Sequence, residues 1–231
     1  IIFSLKGIVG VGDEVAYSIL ENRPYHSFED FCDRMYTEKL VQKKHVVQLI
    51  KAGAFNDFGE PRQIMKNFIM KEIGWKESLN MQNMKQMISM GLLRGELKKY
   101  EEMFNFREHI IKKVVRTEEV ISKRAGAKPK QVKIFSLDEH SQKFYEAHFD
   151  GSSVVGFGEG LELSDVLFKK EYDAIMDEFK EIINKEDFIK DYNLTLFKSE
   201  WFKVAKGSVS KWEMDSISYY EHEHELANVN T

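Results

Sequence analysis

Between Leu5 and Ala16, three glycines stand at positions 7, 10 and 12, with Ile8, Val9 and Val11 among them. Glycine permits positive φ and lets a backbone approach a ligand closely. A helical period follows at once, with Val11, Val15, Ile19 and Leu20 on one face. A tight glycine turn feeding a helix start aims unpaired N–H groups outward at the positive end of the helix dipole. That makes an anion site without any charged side chain. The backbone at Gly7, Gly10, Val11 and Gly12 is therefore the candidate for holding a phosphate. The competing account is a glycine-rich turn that only packs two helices.

A second turn is expected near Thr37-Glu38-Lys39-Leu40, ahead of a helix from about Val41 to Lys51 with Gly53 as its cap. It lacks the glycines of the first. Lys39, Lys43 and Lys44 would replace amide contacts with charge contacts, or simply form a solvated helix face. Paired turns of this kind would grip backbone, not bases, and could span both strands of a duplex. The pattern apolar-x-Gly-apolar-Gly followed by a helix resembles a helix-hairpin-helix motif.

Two further segments extend the likeness: Ser27-Phe28-Glu29-Asp30-Phe31-Cys32, and Val46-Val47-Gln48-Leu49-Ile50-Lys51-Ala52-Gly53-Ala54-Phe55-Asn56. In this order and spacing, residues 2 to about 59 resemble the hairpin region of the C-family bacterial replicative polymerases, the alpha subunit of DNA polymerase III. Near the far end, Ile217-Ser218-Tyr219-Tyr220-Glu221-His222-Glu223-His224-Glu225-Leu226 is similar to that family's "Leu-Gly-Phe-Tyr-Leu-Ser-Gly-His-Pro-Leu", without its Gly and Pro. Asn193-Leu194-Thr195-Leu196-Phe197 resembles the family's clamp-binding "Gln-x-x-Leu-Phe", with Asn193 in place of Gln. An extended peptide there would plug Leu194, Leu196 and Phe197 into apolar pockets of a sliding clamp; ordinary core residues at a helix start are the alternative.

The resemblance implies a nucleotidyltransferase parent from a bacterium or a phage, whose palm domain holds Mg²⁺ through catalytic aspartates. No Asp-x-Asp pattern in a strand context occurs here. Glu101-Glu102 and Glu118-Glu119 read as solvated helix faces, and the terminal His222 and His224 among glutamates as a frayed end. No catalytic residue and no metal site is assigned, so no activity is expected of these residues alone. A repair glycosylase or nuclease would need a catalytic Lys or Asp just past the hairpin, where Lys51 and Asp57 are the candidates. A protein-interaction module with purely structural hairpins, docking a clamp or another replication subunit, is the main alternative.

Charge divides the chain. Residues 107–133 carry nine basic against three acidic side chains, whereas residues 134–231 carry ten against twenty-one. An acidic half is repelled by phosphates, so any DNA contact is expected in the first 133 residues. The basic run supplies Lys112, Lys113, Arg116, Lys123 and Arg124 as a backbone-tracking patch, with an exposed loop around Gly126 and Pro129 and a short strand at 132–135. The 31% of charged residues and only three prolines fit a mostly helical protein. No apolar run approaches membrane-spanning length. A single cysteine, Cys32, excludes an internal disulfide and fits a reducing, cytoplasmic setting. The start at Ile-Ile-Phe reads as a piece of a longer chain.

The expected architecture is all-α: a tandem helix-hairpin-helix unit (1–58), a helical extension (59–150) and an acidic helical subdomain (151–231). Pro61 opens a helix, the methionines from Met81 to Met90 form a helical core, and residues 95–106 make another helix. The glycines at 156, 158 and 160 mark a linker, followed by a long amphipathic helix over 164–185. The expected partner is duplex or primer–template DNA, bound by a monomer.

Overall fold

In a computed structural model, the structure describes residues 4–120, 129–220 and 222. The chain folds as two units: Ile1–Trp75 with Asn193–Thr231, and Lys76–Tyr192. It leaves the first unit after Trp75 and returns at Asn193, inside a helix.

The first unit is helical. A 3₁₀ turn over Leu5–Gly7 leads into α1 (Asp13–Glu21). Ser27 caps α2 (Phe28–Phe31) by accepting the Asp30 N–H at 3.0 Å, and the chain continues through wider π-helical turns over Cys32–Thr37. Then come α3 (Lys43–Lys51) and α4 (Pro61–Ile73), the latter opened by its proline and closed by left-handed Gly74. After the second unit the chain adds α9 (Glu186–Val204) and α10 (Val209–Ile217). One apolar core joins these pieces. Phe28, Phe31, Phe55 and Phe68 meet edge to face, and Ala205, Trp212 and Ile217 from the returning chain are buried with them.

The second unit overturns the all-α expectation. It holds α5 (Met84–Ser89), α6 (Lys98–Ile110), β1 (Val114–Val120), β2 (Lys130–Leu137), α7 (Glu139–His148), β3 (Val154–Phe157), β4 (Leu161–Ser164) and α8 (Asp165–Ile183). The strands form one antiparallel sheet in the order β1-β2-β4-β3. Phe135 faces Val114 on one side and Leu163 on the other. The fold is therefore mixed α and β. Glu118 and Glu119 lie on a strand, not a helix face, and the glycines taken for a linker form the β3–β4 hairpin. Gly160 is required there, because a Cβ would lie 2.0 Å from the Leu137 carbonyl oxygen.

Tyr145 stacks on Phe149, Phe106 lies against Phe149 and meets Phe168 edge to face, and Glu171 is buried. Its carboxylate accepts from the Tyr145 hydroxyl at 2.9 Å, the Ser153 hydroxyl at 2.5 Å and the Gly151 N–H at 3.0 Å. Three donors offset the cost of burying this acid. Among the described residues, no helix is long and apolar enough to cross a membrane.

Candidate nucleic-acid interface

The first hairpin turn is built from backbone hydrogen bonds. The Gly7 N–H donates to the Ser4 carbonyl at 2.8 Å, Ile8 to Leu5 at 3.2 Å and Val11 to Ile8 at 3.0 Å. Ile8 and Val11 are buried, and they anchor the turn to the core. Gly10 reverses the chain at φ +81°, a conformation that L side chains rarely adopt. These bonds sort the predicted amides. Those of Gly7 and Val11 are spent inside the turn. Those of Gly10 and Gly12 donate to no partner among the described residues, and both residues are exposed. A Cβ at either would meet nothing within 4 Å.

Gly12 is the N-cap of α1 and provides no side-chain cap. The first-turn amides of Asp13 and Glu14 therefore add to the outward set. The side chains there are acidic, but Asp13 is neutralised by Lys6 at 3.0 Å. Lys6 also reaches the Tyr17 hydroxyl at 3.3 Å, and the hydrogen bond to Asp13, then that to Tyr17, raises its pKa. Attraction for an anion at this turn must come from the backbone.

The second hairpin repeats the plan with different chemistry. Val41, like Val11, is buried one residue ahead of the N-cap. Here the N-cap is Gln42, whose own N–H donates to Nδ1 of the buried His45 at 3.2 Å. The reversal falls on Lys39, at φ 62° without being glycine. Lys39 and Lys44 are exposed. Lys43 instead pairs with Glu200 and, at 3.7 Å, with Glu72, so its charge is internally balanced. A shallow groove of about 470 Å³ runs beside α3, lined by Lys43, Lys44, Lys51 and Lys203. Burial lowers the Lys51 pKa, opposed by Asp215.

Sequence reasoning named Lys51 only as the candidate of a repair enzyme and did not single out Lys203. Lys203, on α9, lies more than 150 positions downstream of Lys51, so no local spacing brings the two together.

The basic patch belongs to the second unit, and two of its three described residues are paired. Lys113 bonds Asp138, and Arg116 bonds Glu118 at 2.7 Å and also Glu162. Arg116 lies on β1, while Lys112 is exposed just before it. Lys123 and Arg124 lie outside the described residues, as does His224. The segment 193–197 lies within α9: Asn193 is 1% exposed, and Leu194, Leu196 and Phe197 are half-buried, Phe197 against the core of the first unit. An extended clamp peptide would require α9 to unwind there. Among the described residues, no cluster of three or more His, Cys, Asp or Glu side chains is arranged for a metal ion.

Residues 1–65 match the family model of the helix-hairpin-helix motif. Over all 231 residues the chain is 42% identical to "Probable DNA polymerase YorL" of Bacillus subtilis (strain 168) and to the DNA-directed DNA polymerase of Bacillus phage SPbeta. It spans 17% of the length of each. Against the DNA polymerase III subunit alpha of Deinococcus radiodurans it is 38% identical over 71 residues, which are 29% of this chain and 5% of that protein. No solved structure matches. With a hairpin motif at its start and polymerase relatives along its whole length, the chain is identified as a member of the bacterial and phage DNA polymerase III alpha family, of which it carries the helix-hairpin-helix region.

Proposed function

We propose that this chain holds duplex DNA by its phosphate backbone, without reading sequence, and so supports processive synthesis by a parent DNA polymerase. The observation that carries this reading is the uncapped start of α1, where the amides of exposed Gly10 and Gly12 donate to no partner among the described residues. Lys39 and Lys44 at the second turn supply charge for the other strand. Catalysis, with its Mg²⁺, would belong to the palm of the parent polymerase. A sliding clamp remains a second partner to test, through Leu196 and Phe197, but their place in a helix favours DNA as the first ligand.

The test is fluorescence anisotropy of a labelled blunt duplex at two salt concentrations, with wild type and Gly12→Asp. An aspartate N-cap would accept the first-turn amides and stabilise α1 by a few tenths of a kcal/mol, while setting a carboxylate where phosphate should sit. The expected result is salt-dependent duplex binding that Gly12→Asp weakens at least tenfold, with an unchanged or slightly higher melting temperature. Equal binding by the two proteins would make the hairpin structural.

A further inference from the structure

A different face of the first unit carries chemistry that the hairpins do not use. Between α4 and α9 lies an open groove of about 410 Å³. Its floor is aromatic: Phe197 and Trp201 stack with ring centroids 5.6 Å apart, and Phe202 projects beside them, 65% exposed. Its rim is basic, formed by Arg62 and Lys66 of α4 and Lys198 of α9, and no acidic residue lines it. Lys66 and Lys198 make no ion pair among the described residues. Arg62 is fixed in place. Its guanidinium lies 5.4 Å from the Trp201 ring and 5.7 Å from the Trp212 ring, and it donates to the Gly207 carbonyl at 3.1 Å. Lys206 stands over Phe202 at 5.0 Å.

We propose that this groove is a stacking platform for single-stranded DNA. Unpaired bases have free π-faces to lay on Phe202 and its neighbours, and their phosphates meet Lys66 and Lys198. Paired bases in a duplex are already stacked on each other and would leave Phe202 without a contact. A protein segment seated here would need an acidic rim around an apolar centre, and is the alternative outcome. The inference does not rest on the hairpin reading: different residues and a different form of DNA are involved.

The experiment titrates the whole chain with labelled oligo-dT of twelve nucleotides and, separately, with the blunt duplex. The proteins are wild type, Phe202→Ala, Phe202→Trp and Lys66→Gln/Lys198→Gln. Phe202 is exposed, so truncating it leaves the core intact. Expected results are oligo-dT binding that Phe202→Ala weakens about tenfold and Phe202→Trp preserves, with duplex binding unchanged by either. The lysine pair should reduce the salt dependence of oligo-dT binding alone. Absence of oligo-dT binding, or equal binding by wild type and Phe202→Ala, overturns the proposal and leaves the groove as a docking face for protein. Loss of duplex binding in Gly12→Asp with oligo-dT binding intact would separate the two sites.

Discussion

The Val9 N–H donates to the Ser216 carbonyl at 2.9 Å, so the first hairpin turn is tied to the last turn of α10, more than 200 residues further along the chain. Trp212, wholly buried on the same helix, ties α10 into the hairpin core. The motif recognised in residues 1–65 is thus only part of the folded object that presents it.

Residues 1–75 expressed alone should therefore fail to unfold cooperatively and should bind duplex at least tenfold more weakly than the full chain. They lack Ala205, Trp212 and Ile217, and losing one large buried aromatic typically costs about 3–5 kcal/mol. Circular-dichroism melting and duplex titration of this piece would check it. A sharp transition with full binding would show that the returning helices are dispensable.

Lys39 holds a left-handed conformation that costs a non-glycine residue about 1 kcal/mol or more. Lys39→Gly should relieve that strain, partly offset by the extra freedom of glycine in the unfolded chain. If the lysine is there for phosphate, stability rises by several tenths of a kcal/mol while duplex affinity falls and its salt dependence shallows. Urea unfolding and anisotropy would report the two changes; a stabilised variant with unaltered affinity removes Lys39 from the interface.

His45 is buried, and its Nδ1 accepts the Gln42 N–H. Burial, and then the nearby Lys44, lower its pKa from the ordinary 6.5. Below that pH the unfolded chain binds the proton more readily than the folded one, so this residue makes stability fall as pH drops from about 6.5. The slope it adds cannot exceed about 1.4 kcal/mol per pH unit. Unfolding at pH 7.5 and 5.5 should show a smaller loss for His45→Asn than for wild type. An identical loss would mean that His45 titrates alike in both states.

Gly160→Ala places a methyl group against the Leu137 carbonyl, where nothing can give way except the β2–β4 pairing. We expect destabilisation of about 3 kcal/mol, read by urea denaturation. Duplex binding by the hairpins should survive under native conditions, because Gly160 belongs to the other unit.

Much of the first unit is legible in the sequence because its signals are local. The Val11–Val15–Ile19 period, Pro61 at a helix start and the glycine turn each depend on residues a few positions apart. The sheet was not, although the stretch 132–135 did hint at β2. Strand β1 reads Val-Val-Arg-Thr-Glu-Glu-Val and is exposed along its whole length, so no alternation of burial marks it. Strands β3 and β4 have four residues each, too few for a period. Within the candidate site, glycine spacing located the turn, but only the structure showed that the Val11 N–H is spent on the Ile8 carbonyl and that Lys43 is paired. Glu200, which pairs with Lys43, lies far along the chain.

The most direct measurement is a ¹⁵N–¹H correlation spectrum of the chain, titrated with a short blunt duplex at low salt. The account predicts that the amide signals of Gly10, Gly12, Asp13 and Glu14 move progressively, and that those of Gly7 and Val11, already bonded within the turn, move little. Shifts confined to other surfaces, with the Gly10 and Gly12 signals unmoved, would contradict it.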